Sequence, residues 1–373
     1  MDAAERAAWL RLLLTPGLGP ASTRRLLAEF GLPQEILAAG SAALKVLLPD
    51  EVVHALRRPP DAETERAIAS TELWLAGGAE RSVLSLADAD YPAALLQCPD
   101  PPIVLYAWGR REILGQPSLA IVGSRSCTQQ GRQTAEAFAR ALGHAGLTIV
   151  SGLALGIDAA AHRGALQAVD EGAAASTIAV VGSGIDVVYP ASHRALTDAV
   201  RARGLVLSEF VPGTPALAHN FPKRNRVIAG LARGVLVVEA ALRSGSLITA
   251  RLAAELGREV FAIPGSIHSP TARGCHRLIK DGAKLVESAQ DVLDELRLPV
   301  QALAVAPADR RGSEPLGATQ RVVLDAMGHG PVDLDTLAVR CASATGSLSA
   351  TLLELELAQY VERLPGNQYQ RLR

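Results

Sequence analysis

LTIVSGLALGIDAAAHRGALQAVD, residues 147–170, is the stretch from which the fold can be read. Leu147–Val150 is a short apolar run rich in β-branched residues, and such a run favours a strand. Glycines at 152 and 156 interrupt it, and from Ala159 to Leu166 the alanine-rich pattern is helical. Strand, glycine turn and helix make half of a crossover unit. The pattern recurs on both sides, with further strand candidates at Leu119–Val122, Ile178–Val181, Leu205–Leu207, Val235–Val238, Val260–Ala262 and Lys284–Val286. Alternation of this kind over roughly 117–298 predicts a doubly wound α/β domain, a parallel sheet with helices on both faces.

The flanks read differently. Residues 1 to about 85 have apolar residues at helical spacing in Ala8–Leu14 and Ala21–Phe30 and no credible run of strands, which predicts a small all-α unit. Between those two helices lies Thr15-Pro16-Gly17-Leu18-Gly19-Pro20. It reads either as a tight helix–helix turn or as a hairpin whose backbone N–H groups approach a phosphate. Ala302–Gly317 mixes Pro, Gly, Ala and charge without periodicity and reads as a linker. From Ala318 on, helical patterns at Gln320–Met327, Leu334–Arg340 and Ser347–Ala358 precede two short strands around Pro365-Gly366-Asn367, the layout of a winged helix. That tail holds five arginines against six acids, no footprint for phosphate, so a protein–protein role is favoured over a DNA-reading one.

Composition sets limits. The 373 residues are 49% hydrophobic and 20% charged, and no apolar run approaches the ~18–20 residues of a membrane span. The start, MDAAERAAWLRLLL, lacks the features of a secretory signal, so a cytoplasmic protein is expected. Cys98, Cys127, Cys275 and Cys341 are scattered, without a CxxC pair or a nearby histidine at metal spacing; they read as ordinary thiols, and no metal or cofactor is expected. The 37 basic and 38 acidic side chains nearly cancel, so any polyanion site must be local. With three Trp, five Tyr and five Phe, an extended aromatic platform is excluded, though one well-placed ring is not.

In an open parallel sheet, ligands bind beyond the carboxyl ends of the strands, so the strand-to-helix turns hold the candidate site. After the first strand come Gly123, Ser124 and Arg125: a bare backbone, a hydroxyl and a planar donor fork. Ser151 and Gly152 open the next turn, where Asp158 is placed to cap the following helix and His162, one turn on, to bond to it. The turn Val181–Val187 begins like a dinucleotide loop but has Val187 where the third glycine belongs, which argues against NAD. In the last turn Arg243, Ser244 and Gly245 lead to Ser246 as N-cap and Thr249 at N3, an anion site made of Arg243 and the first N–H groups of a helix. The densest signal is His219–Gly230, with Phe221, Lys223, Arg224, Asn225 and Arg226. Residues 219–251 carry six basic side chains against Glu239 alone. Phe221 is either a surface for one base or a hydrophobic staple. There is no GxxxxGK[ST] loop, no carboxylate pair brought together by spacing and no Ser/His/Asp elbow, so no catalytic residue is assigned.

Five ordered motifs carry a resemblance: GSR at 123–125, SGLALGIDAAAH at 151–162, VVGSGIDVVYP at 180–190, NFPKRNRVIAGL at 220–231 and SGSLITA at 244–250. Together they resemble the core of the DprA/Smf (DNA-processing protein A) family. The resemblance implies an extended Rossmann-like, mostly parallel sheet domain over 86–300. An N-terminal helical, SAM-like or helix-hairpin-helix domain would occupy 1–85, a linker 301–317 and a winged helix 318–373. It also implies a non-enzymatic mediator that binds single-stranded DNA, forms homodimers through the sheet domain and loads the RecA recombinase during natural transformation. Carried over, the pocket comprises Arg125, Ser151, Gly152, Lys223, Arg224, Asn225, Arg226, Ser244, Gly245 and Thr249. The alternative is a nucleotide-processing Rossmann-like enzyme of the nucleoside monophosphate N-glycosidase kind. Those enzymes carry PGGxGTxxE where this chain has Arg243–Thr249, so the catalytic Glu and paired glycines are missing.

Overall fold

The computed structural model describes residues 1–298, 317–328, 330–358, 360–364 and 366–372. All of the expected linker except Gly317 therefore lies outside the described residues. Two compact units are present, one holding nearly all of residues 1–298 and the other residues 317–372.

The first unit is built on one nine-stranded sheet, whose strands are β1 (Arg81–Ser85), β2 (Val104–Gly109), β3 (Ser118–Val122), β4 (Thr148–Ser151), β5 (Thr177–Val181), β6 (Leu205–Ser208), β7 (Gly234–Val237), β8 (Glu259–Ala262) and β9 (Lys284–Leu285). Their order is β1-β2-β6-β5-β4-β3-β7-β8-β9. From β6 to β9 every pairing is parallel, while β1 and β2 add an antiparallel edge. Every residue of β3, β4, β5, β6 and β7 is buried, which is why these strands read as unbroken apolar runs rather than as alternating ones.

Each of the seven expected strands is present, while β1 and β2 were not among the expectations. β1 is RSVLS, half-buried and partly polar, and no crossover helix follows either strand, so the strand–helix alternation that exposes the others is missing.

One face of the sheet packs on helices that include Asn220–Leu231 and Ser246–Glu255, through Val122, Val150, Val180, Val227, Ile228 and Val237. The N-terminal helices cover part of the other face. Trp9, Leu10, Leu26, Ile36 and Leu56 form one cluster with Val104 and Tyr106 of the sheet. Trp74 meets Tyr106 edge-on at 5.7 Å, and the Tyr106 hydroxyl lies 2.9 Å from Thr71 Oγ1. Asp2 and Asp61 cap the helices Ala3–Leu14 and Ala62–Leu75. Arg6 grips Glu72 with two bonds of 2.7 and 2.6 Å. The hairpin between the first two helices has Gly17 in the left-handed region at φ 78°, where a Cβ would lie 3.0 Å from Val52 Cγ2, and Leu18 is buried.

The second unit has helices Ala318–Met327, Leu334–Cys341 and Thr345–Leu357 and a small sheet in the order β10 (Val332–Asp333), β12 (Gln368–Arg371), β11 (Val361–Leu364). Val323, Leu337, Leu348, Leu352, Leu355 and Tyr369 form its core, and Asp333 caps the second helix through Thr336 N–H at 2.8 Å. Three helices and a hairpin complete the expected winged helix. No helix among the described residues is long and apolar enough to cross a membrane, and none of their His, Cys, Asp and Glu gather in threes as for a metal.

Close packing on the sheet depends on Gly164, in the helix Ile157–Asp170. A Cβ there would lie 2.2 Å from the backbone oxygen of Glu136 in the helix Gln129–His144. Gly164→Ala should therefore destabilise by about 1–3 kcal/mol in urea unfolding, because the backbone clash outweighs the ~1 kcal/mol that alanine gains in helix propensity. Gly115→Ala, with nothing within 4 Å, is the control.

Candidate functional site

The order of the strands reverses between β3 and β7. From β3 the chain winds outward through β4, β5 and β6, then returns to the other side of β3 and winds the opposite way. The turns that leave β3 and β7 diverge, and a crevice opens between them at their carboxyl ends. A cleft of about 780 Å³ occupies that place. Into it face Gly123, Ser124 and Arg125 after β3, Arg243, Ser244, Gly245, Ser246 and Thr249 after β7, and Phe221, Arg224 and Asn225 from the start of the helix Asn220–Leu231.

A narrower recess adjoins it, lined by Gly152, Leu155, Gly182, Tyr189 and Pro190 and sharing Arg125, Phe221 and Arg224. Phe221 lies with one side against bare Gly182, where a Cβ would come 2.9 Å from Cδ1. Over its ring sits the Arg125 guanidinium, 5.3 Å from the centroid. Tyr189, half-exposed, leans on it at 5.7 Å with the rings tilted 41° apart.

Charge in this region divides into buried and open groups. Arg224 is only 4% exposed and its guanidinium fills the space a side chain at 152 would need. Its counter-ion is Asp158 at 3.9 Å, which also accepts the Gly152 N–H at 3.1 Å. Burial pushes the Asp158 carboxyl up, and Arg224 and the N–H groups of Ala154 and Gly152 oppose that push. Arg125 and Arg243, by contrast, are exposed and have no ion-pair partner among the described residues.

Several expected roles change. Asp158 is not a cap: the helix starts at Ile157, and Asp158 reaches back across the turn to Gly152. Nor does His162 bond to Asp158. It is fully buried, its Nε2 accepts from Leu153 N–H at 3.3 Å, and its Nδ1–H donates to Thr177 Oγ1 at 2.7 Å, whose own proton goes to Ile149 O. Burial lowers the His162 pKa to about 3, so the ring is a neutral strut. Ser246 is the first helical residue and Gly245 the cap position. The N–H groups of Ser246, Leu247 and Ile248 already meet Ser244 Oγ, Ser244 O and Gly245 O, so these three amides are not free for a ligand.

The remaining candidates divide in the same way. Ser151 is buried and donates to Ile121 O at 2.6 Å, beneath the site rather than in it. Lys223 is exposed on the same helix but lines neither cavity. Arg226 is turned away, tied to Glu209 and to the Asp100 carbonyl and carboxylate, which removes it from the expected phosphate ligands. The dense basic run is thus partly a set of internal ion pairs, as alternation around a helix requires. Tyr189 and the counter-ion role of Asp158 went unassigned in the sequence. Tyr189 stands eight residues beyond the end of a strand, too far along a turn for spacing to aim it.

The chain matches the family DNA recombination-mediator protein A over residues 82–297, flanked by a DprA-like N-terminal HHH domain over 3–68 and a DprA winged helix domain over 306–367. It is 36% identical to Protein Smf of Synechocystis across the full length of both chains, and 51% identical to DNA processing protein DprA of Streptococcus pneumoniae over 57% of this chain and 73% of that one. The crystal structure of the S. pneumoniae protein, 38% identical, superposes with a TM-score of 0.66 over 79% of this chain and 98% of that chain. A Helicobacter pylori DNA processing protein A, studied for its single-stranded-DNA binding mode, is 30% identical with a TM-score of 0.52 over 58% of this chain and 96% of its own. Matched along its whole length and in all three of its parts, the chain belongs to the DNA recombination-mediator protein A (DprA/Smf) family.

Proposed function

We propose that the cleft binds single-stranded DNA and that the chain acts on it as a non-enzymatic recombination mediator. The observation that carries this reading is the convergence at the switch point of two unpaired guanidinium groups, Arg125 and Arg243, with the Ser124, Ser244 and Thr249 side chains and the ring of Tyr189. Cations hold phosphates and an aromatic face takes a base, which only an open strand offers. Among the residues lining the cleft the single carboxylate is Asp158, already engaged by Arg224 and Gly152, so a paired acid and base for hydrolysis is missing from its wall.

We place this activity in the cytoplasm during natural transformation, with the protein a homodimer joined through the sheet domain and delivering RecA onto the bound strand. Family membership and the DNA binding studied in the H. pylori relative support the role. The winged helix supports a protein contact: Arg340 and Arg371 donate to its own carbonyls of Ala326 and Leu324, and Arg363 rests near Tyr369, so these cations serve the module itself.

Labelled oligo-dT titrated at increasing salt tests the cleft. Wild type should bind more tightly than to duplex and weaken steeply with salt. Arg125→Ala and Arg243→Ala should each weaken binding and flatten the log–log slope by about 0.7, the loss of one phosphate contact on a single strand. Lys223→Glu should cost less than either, and Arg226→Ala should lower stability while leaving the slope unchanged; a slope flattened by Arg226→Ala and not by Arg125→Ala would reject the assignment.

A second reading, a nucleoside monophosphate N-glycosidase, would have to draw on Asp158, the carboxylate in the cleft wall. Incubation with AMP followed by chromatography should release no adenine, and clear turnover would overturn the non-enzymatic reading.

A further inference from the structure

We propose that the open edge of β1 is a docking slot for an extended segment of a partner protein, one in which basic residues alternate with apolar ones, added to the sheet as one more strand. β1 ends the sheet and has β2 as its neighbour. Gly109 N–H bonds to Glu80 O and Leu86 N–H to Ile103 O. In this antiparallel register Ser82 and Leu84 therefore also turn their main-chain groups to β2, while Arg81, Val83 and Ser85 turn theirs off the sheet. The ends of that outward row are closed. Arg81 N–H donates to Gly78 O at 3.2 Å, Ser85 N–H to Asp88 Oδ2 at 2.6 Å, and Ser85 O accepts from Asp88 N–H at 3.1 Å. The middle is open: Val83 N–H, Val83 O and Arg81 O meet no hydrogen-bond partner among the described residues. Folded chains usually cover or blunt such an edge, because it is a template for another strand.

A cleft of about 460 Å³ borders this opening, lined by Arg81, Ser82, Val83 and Leu84 of the strand itself. Met1, Arg6 and Leu75 form one wall, and Asp88, Ala89, Asp90 and Arg111 the other. The pleat decides which wall each incoming side chain meets. A residue directly opposite Val83 shares the face of Val83, which packs with Leu75 and Met1. The cations on that face are already engaged: Arg6 by Glu72 and Met1 O, and Arg81 by Trp74 O and the ring of Trp108, 4.2 Å away. An apolar side chain fits there. The residues before and after it share the face of Leu84, which packs with Tyr91 at the end of the second wall. On that wall two carboxylates, Asp88 and the exposed Asp90, stand against one cation, Arg111, 4.0 Å from Asp90. Lysine or arginine fits there, so the slot selects a basic, apolar, basic sequence held by three main-chain bonds.

The test uses the full chain and a labelled, end-blocked peptide of alternating lysine and valine, followed by fluorescence anisotropy. Wild type should bind it, and more tightly than a peptide with glutamate in place of lysine. N-methylation of one alternating set of amides should weaken binding roughly 10-fold or more, and of the other set little, because every second residue of an added strand bonds to the edge. Val83→Pro, which deletes an outward N–H at an edge position where proline is tolerated, should weaken binding by a similar factor. Asp90→Lys, an exposed change that leaves the strand intact, should weaken the lysine peptide roughly 2- to 5-fold at low salt and favour the glutamate one. The melting temperature of each variant checks that it folds. Absence of binding by wild type, or equal binding by both N-methylated peptides and by Asp90→Lys, would overturn the proposal. So would sedimentation in which Val83→Pro abolishes a self-association of wild type, since the edge would then belong to a second copy of this chain.

Discussion

A parallel strand cannot be followed by its neighbour without a crossover, and where successive crossovers change direction the two strands at the change send their turns apart. That constraint, met between β3 and β7, creates the cleft before any side chain contributes. The chemistry is then supplied by whatever the diverging turns and the adjacent helix carry. Here they bring arginine, serine, threonine and asparagine to one opening, while the long apolar strands that hold the turns apart are wholly buried.

Electrostatics refines that arrangement by separating two kinds of cation. Arg224 and Arg226 sit on the same helix within two residues, yet both are bound to acids, one inside the wall of the cleft and the other on its far side. Arg125 and Arg243 stand in the open. A mobile anion exchanges partners only with the second kind, because breaking a buried pair leaves an uncompensated charge behind. The effective positive charge at the opening is therefore smaller than the number of basic residues in the neighbourhood, and better focused.

Much of this was legible in the residues themselves. Five of the parallel strands, β3 to β7, announce themselves as apolar runs because both their faces are covered, and the glycine-bearing turns after them point to the ligand-binding rim without further information. β1 escapes because it is partly polar, and β2, although an apolar run, because no crossover helix follows it to set it among the others. Within the site, Arg125, Arg243 and Thr249 follow from their positions after strands, but the outward turn of Arg226 and the placing of Tyr189 beside Phe221 depend on distant segments, Asp100 and Glu209 in one case and the Gly182 turn in the other. Local spacing carries no record of such long-range partners.

Gly152 and Arg224 occupy what is effectively one side-chain volume: a Cβ at 152 would stand 1.3 Å from a guanidinium nitrogen. With the Arg224 guanidinium in this place a side chain at 152 is excluded, although 72 positions of chain separate the two. A change at either position therefore disturbs the other, and Asp158, which meets both, feels each of them.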